Sequence, residues 1–155
     1  MERALRAQLL HGRFEGVSEK RSQAMRAVKG RKNKTTEMRL RSALVRASIH
    51  GWKMRMPGTL GMPDFIFPRE KVAVFTDGCF WHGCPRCYHS PIKSNTAYWT
   101  EKIKRNISRD RRVNRRLRNA GWRVLRFWEH ELKRSLEFAV VRIQKEVSRV
   151  REELL

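Results

Sequence analysis

The sequence predicts a compact α/β sandwich in which helices pack on one small mixed sheet. Short apolar runs bounded by turn residues alternate with longer amphipathic stretches, in the order αβββαβα. A chain of 155 residues, 40% of them apolar, can bury one core but is too short for two comfortable domains. No internal repeat or low-complexity tract interrupts the pattern.

Residues 1–20 are basic, weakly periodic and poor in large apolar groups, so they are expected to form a flexible arm that orders on a charged partner. Residues 21–155 are expected to form one domain. In TTEMRLRSALVRASIHG, Met38, Val45 and Ile49 recur at spacings of seven and four beside Leu44. That is a helical face, with Thr35 or Thr36 as N-cap, Glu37 in the first turn and Gly51 as the stop. Residues 52–56 read as a short strand and PGTLGMP as a loop. DFIF and VAVFT, separated by the turn PREK, read as an antiparallel hairpin whose second strand is covered on both faces. The segment DGCFWHGCPRCYHSP is too dense in Gly, Cys, Pro and aromatic residues to be a plain connector. A basic helix follows from about Asn95 to Ala120, with apolar stripes at Trp99, Ile103, Ile107 and at Val113, Leu117, Ala120; Gly121 ends it. WRVLRFW is the next strand, and a last helix from about Glu131 carries Leu136, Val140, Ile143 and Val147.

Charge narrows the function. Lys and Arg number 36 against 15 Asp and Glu, a net +21, and the sequence pI is near 11.3. The expected partner is a polyanion. No apolar run approaches the roughly 18 residues of a membrane span. The opening MERALRAQLL is too short and too charged for an export signal, so a cytosolic, nucleic-acid-facing protein is expected. Few acids balance the cations of the basic helix, among them Lys102, Lys104, Arg105 and Arg109, so phosphate contact is favoured over a merely solvated face.

Four sets of residues could carry chemistry. Cys79, Cys84 and Cys87 place three soft ligands in one loop, and an odd number of clustered thiols favours a metal over disulfides. Tetrahedral zinc needs a fourth ligand, for which His82, His89 and His130 compete; a closed site would be structural. Asp64 opens the strand DFIF near the end of the neighbouring strand at Thr76-Asp77, where a carboxylate could hold Mg²⁺ against a phosphate, although Pro-Asp is also an ordinary turn. His82, tethered by the cysteine loop, could accept a proton from water if it is not a zinc ligand. Phe80, Trp81, Tyr88, Tyr98 and Trp99 could stack on bases or fill a core.

The string GMPDF…VAVFTDGCFWHGC…YWTEKIKRN…RDRR…GWRVLRFWEHEL resembles the very-short-patch mismatch-repair (Vsr) endonucleases, a branch of the restriction-endonuclease-like PD-(D/E)XK nucleases, over about Ser22 to Leu132. The resemblance implies a restriction-endonuclease-like α/β/α sandwich with a structural zinc site. It implies a Mg²⁺-dependent enzyme that nicks 5′ of the thymine in a T·G mismatch left by deamination of 5-methylcytosine. By similarity Asp64 would hold the catalytic Mg²⁺ with the carbonyl of Thr76, His82 would be general base or phosphate contact, and Glu37 would support the site. Phe80, Trp81 and Trp99 would enter the duplex from the major groove and Met25 from the minor groove. Lys102, Arg105, Asn106 and Arg109 would contact DNA. The implied setting is the prokaryotic cytoplasm at the nucleoid, with a MutL-type repair protein as partner and a monomer on the asymmetric lesion.

Two departures stand out. Asp77 occupies a position where the best-known family type has a histidine, so it either adds a metal ligand or drops out of catalysis. A His and a Cys of the familiar zinc set become Cys84 and His130, which favours His130 as fourth ligand and frees His82. Two other functions remain open at this level: a non-catalytic zinc-containing DNA-binding module, and a related nuclease serving another task such as host defence. The first leaves the Asp64–Thr76–His82 arrangement unexplained.

Overall fold

The computed structural model describes residues 18–20, 36–87 and 95–153; Met25, Tyr88, His89 and nearly all of the basic arm lie outside them. Helix α1 runs Glu37–Arg46 and buries Leu40, Ala43 and Leu44, the i, i+3, i+4 stripe of an amphipathic helix. Val45, expected on that face, is 53% exposed. The helix also stops before Gly51. Ser48 takes a left-handed φ of 53° and donates its N–H to Val45 O (3.0 Å), while Ile49 N–H donates to Leu44 O (3.0 Å). That is a Schellman ending with serine where glycine is usual, and Ile49 is buried as its apolar anchor rather than as another helical turn.

Strand β1 (Lys53–Met54) pairs antiparallel with β2 (Phe65–Phe67), and β2 pairs antiparallel with β3 (Val72–Asp77), with Phe65 opposite Val74. β3 then pairs in parallel with β4 (Arg123–Trp128), Thr76 beside Phe127 and Asp77 beside Trp128. The open sheet has the order β1-β2-β3-β4, the small mixed sheet and hairpin that the sequence predicts. Parallel pairing requires a long crossover, and α2 (Thr96–Asn119) supplies it.

Alternation along β3 sends side chains to two layers. Val72 and Val74 join Phe65, Phe67, Leu125 and Phe127 against α1 and the last helix. Ala73 and Phe75 meet Leu117 and Val113 of α2. The result is an α/β/α sandwich. The predicted last helix is two: α3 (Glu129–Arg134) and α4 (Leu136–Glu153), divided at Ser135, whose Oγ accepts the Phe138 N–H at 3.3 Å and so starts α4 anew. α3 leaves β4 directly, and Glu131 Oε2 accepts the Trp128 N–H (2.9 Å). This places His130 one residue beyond Glu129, at the same sheet end as Thr76 and Asp77.

Candidate active site and metal centre

Asp64 stands immediately before β2 and is only 8% exposed. Its Oδ2 accepts the Thr76 N–H (2.7 Å) and the Thr76 hydroxyl (2.9 Å). Its Oδ1 accepts a hydrogen bond from Arg55 Nη2 (3.1 Å), and the same nitrogen donates to Glu37 Oε1 (2.6 Å). Glu37, from the first turn of α1, is 4% exposed. Burial pushes the Asp64 carboxyl up to about 6, with the Glu37 charge adding to the rise and the Thr76 hydrogen bonds and Arg55 opposing it. Arg55 is held at φ 45°, a backbone geometry that costs a non-glycine residue about 1–2 kcal/mol, just after β1. Two buried carboxylates facing one guanidinium form a hard-oxygen set that a divalent cation would fit.

His82 lies across the same strand end. Thr76 points with Val74 toward α1, while Asp77 points with Phe75 toward α2. His82 Nδ1 is 2.6 Å from Asp110 Oδ2 of α2 and 3.7 Å from Asp77 Oδ1. Arg126 of β4 donates to Asp77 Oδ2 (2.8 Å) and to Asn114 Oδ1 (3.0 Å), lies 3.5 Å from Asp110 Oδ2 and stacks 4.3 Å above the Phe75 ring. Burial tends to raise the Asp110 carboxyl, but the His82 hydrogen bond and the charges of Arg126, His82 and Arg109 outweigh it and leave it lowered. Asp77 is raised by burial despite Arg126 and His82. An ionised Asp110 only accepts, so His82 Nδ1 carries the proton and donates. Asp77 is engaged with Arg126 and His82, on the opposite face of β3 from the Asp64 carboxylate.

The thiol loop closes on α3. His130 Nδ1 lies 3.3 Å from Cys79 Sγ, 3.5 Å from Cys84 Sγ and 3.4 Å from Cys87 Sγ. All four ligand atoms fall within 4.8 Å of one another. Tetrahedral zinc, with Zn–S near 2.3 Å and Zn–N near 2.05 Å, places N and S about 3.5 Å apart, so the set fits that ion. His130 Nε2 is buried with no hydrogen-bond partner among the described residues, leaving Nδ1 as the ring's one polar engagement. Burial and the neighbouring thiols push the Cys79 thiol up to about 12, which a bound cation would reverse. His82 is thus with Asp110 and not with the sulfurs.

The aromatic residues form one cluster. Phe80, Trp81 and Trp99 meet edge to face at centroid distances of 5.2, 5.7 and 5.6 Å, and Tyr98 meets Trp99 at 5.1 Å. Phe80 is 38% exposed, and Lys102 Nζ sits within 6 Å of Trp81, Tyr98 and Trp99. Asn106 donates to the Trp81 carbonyl (2.8 Å) and so anchors the loop to α2. Arg105 pairs with Glu101 (2.8 Å), and Arg109 lies 3.6 Å from Asp110. Gly83, at φ 63°, lets the loop lie against α2: an added Cβ would stand 2.7 Å from Ile107 Cδ1.

Arg55, Asp110, Asn114 and Arg126 do not stand out in the sequence. Each looks like an ordinary member of a strand or a basic helix. Only Asp110 carries a signal, as an acid within RDRR on a helix otherwise crowded with cations.

An α/β/α sandwich with a buried acid and an Asp-held histidine at the end of its central strand fits a restriction-endonuclease-like DNA endonuclease. The chain belongs to the Vsr family: the family model described as DNA mismatch endonuclease Vsr matches residues 17–89. It is 49% identical over 109 residues to the type II nicking enzyme V.NaeI of Lentzea aerocolonigenes, an alignment covering 68% of this chain and 65% of that relative. It is 35% identical over 130 residues to the type II nicking enzyme V.NmeDIP of Neisseria meningitidis serogroup C (83% and 86% covered). It is 39% identical over 114 residues to the DNA mismatch endonuclease Vsr of Escherichia coli strain K12 (73% and 71% covered).

Proposed function

We propose that this protein nicks one strand of duplex DNA on the 5′ side of the thymine in a T·G mispair, using Mg²⁺ held by Asp64 and the carbonyl of Thr76. The observation that carries the reading is the buried Asp64 carboxylate fastened to Thr76 at the end of β3, with Glu37 and Arg55 behind it. When bound, the cation would polarise the scissile phosphodiester and favour ionisation of a water. The protein's own residues do the rest. Asp110 holds Nδ1 of His82, which leaves Nε2 to accept a proton from the attacking water or to meet the phosphate. Arg126, itself paired with Asp77, keeps Asp110 in place. Cys79, Cys84, Cys87 and His130 would hold zinc as a structural clamp on the loop carrying His82, Phe80 and Trp81.

Recognition follows from mechanics. A mispair is weakly stacked, so wedging it open costs less than opening a paired step. Phe80, the exposed corner of the cluster, would enter from the major groove with Trp81 and Trp99, and Met25 from the minor groove. Lys102, Arg105 and Arg109 would meet phosphates. A MutL-type protein is the proposed repair partner. A second reading, a nicking enzyme whose target is set by its own flanking sequence, is favoured by the 49% identity to a protein named a type II nicking enzyme.

The test is nicking of T·G and fully paired duplexes across all flanking base pairs, with magnesium titrated. Asp64→Asn is expected to lower the rate by about 10³-fold or more while leaving duplex affinity within about threefold. Full activity in that variant would refute the assignment of Asp64. Equal cleavage of paired and mispaired duplexes would refute mispair recognition, and the flanking panel separates the two readings.

A further inference from the structure

Arg55 has no assigned part in the reaction, yet its geometry is specific. One nitrogen, Nη2, reaches both Glu37 Oε1 (2.6 Å) and Asp64 Oδ1 (3.1 Å). Asp64 Oδ2 already receives two hydrogen bonds from Thr76, so Oδ1 is the oxygen best placed to turn to another cation. The Arg55 side chain is 23% exposed and the two acids are 5% and 11%, so Arg55 is the member of the trio with the most solvent contact, although its Nε is buried. Its backbone φ of 45° turns the chain out of β1 at this residue.

We infer that Arg55 is an internal counter-cation that competes with the divalent ion for Asp64 Oδ1 and Glu37, and that a DNA phosphate draws it away, so that metal and DNA bind cooperatively. The inference rests on the reading of Asp64 as the metal ligand. Without DNA, the guanidinium neutralises two buried carboxylates and a second cation must displace it. When duplex arrives, its phosphates offer the guanidinium a bidentate partner, the acids are released, and the site takes the metal. Linkage makes the effect mutual: whatever factor DNA adds to metal affinity, metal adds to DNA affinity. Arg55 is therefore a positioning residue whose removal changes where charge is balanced.

The experiment measures Mn²⁺ affinity by electron paramagnetic resonance on zinc-loaded protein. It is run with and without a T·G duplex carrying phosphorothioates beside the mispair, which keep the charge and slow hydrolysis. In the parent protein the duplex is expected to raise Mn²⁺ affinity by about tenfold or more, within the usual range of coupling between sites. Arg55→Gln is expected to bind Mn²⁺ more tightly than the parent in the absence of DNA and to lose most of that coupling. Arg55→Lys, which keeps the charge, should retain weak DNA-free binding. Parent affinity indifferent to duplex, or unchanged DNA-free affinity in Arg55→Gln, overturns the inference. The parent measurement decides even if a variant misfolds. Asp64→Asn separates the two failures: Mn²⁺ binding undiminished there means the metal site itself is misassigned.

Discussion

Asp64 carries a burial cost that a bound cation would relieve. Its carboxyl lies at about 6, against 3.8 for an ordinary aspartate, chiefly because burial penalises the charged form. Between those two values the folded chain holds a proton that the unfolded chain has lost, so νU − νN is negative and stability falls as pH rises through that window. The total is about 3 kcal/mol, since each tenfold difference in proton affinity between folded and unfolded chain is worth roughly 1.4 kcal/mol. Roughly half of that falls above pH 5, so zinc-loaded protein without magnesium should melt a few degrees lower at pH 7.5 than at pH 5. Adding Mg²⁺ should recover more stability at pH 7.5, where the carboxylate is ionised, than at pH 5. In Asp64→Asn both the pH slope and the magnesium increment should shrink. Thermal melts across pH with and without Mg²⁺ check this, and an unchanged slope in the variant would remove Asp64 as its source.

At the scale of elements, the thiol loop depends on α3 for its position. His130 is the second residue after β4, so a zinc ion bound by Cys79, Cys84, Cys87 and His130 would tie the loop to the sheet end that carries Thr76 and Asp77. His130→Ala should lose zinc, measured by metal analysis of the purified protein, and lower nicking by about 10-fold or more even with magnesium saturating. Retained zinc would return the fourth-ligand role to a residue outside the described ones, such as His89. How far this is legible in sequence varies with the kind of signal. The apolar runs of β2, β3 and β4 and the long stripe of α2 are plain because burial on both faces or at helical spacing leaves a periodic trace. The end of α1 is not, since Ser48 takes the left-handed position that sequence reasoning reserves for glycine. The division between α3 and α4 is hidden because Ser135 acts as a cap inside an otherwise continuous helical pattern. The Asp64–Thr76 and Cys3His groupings follow from residue types and resemblance, whereas Arg55 and Arg126 act through tertiary pairing that no local spacing records.

Across the whole molecule, attraction to DNA and discrimination of the mispair are proposed to reside in different residues. The net +21 supplies attraction to any duplex, and α2 contributes to it in a groove lined by Lys104, Ile107, Ser108, Arg111, Arg112 and Arg115. The aromatic cluster and His82 are carried instead on the thiol loop and the N-terminal part of α2. No helix among the described residues is long and apolar enough to cross a membrane. If the α2 groove tracks phosphates, Arg111→Ala and Arg115→Ala should each weaken binding to paired and T·G duplexes alike, because phosphate contacts carry no base information. Each should also make the slope of log affinity against log salt shallower by about 1, the counterion released per contact. Phe80→Ala should behave in the opposite way, keeping the salt slope and narrowing the preference for T·G. Salt titrations of both duplexes with these three variants test the division directly. A slope untouched by the arginine variants would make the α2 groove a solvated face, and the attraction to DNA would then have to come from cations elsewhere on the chain.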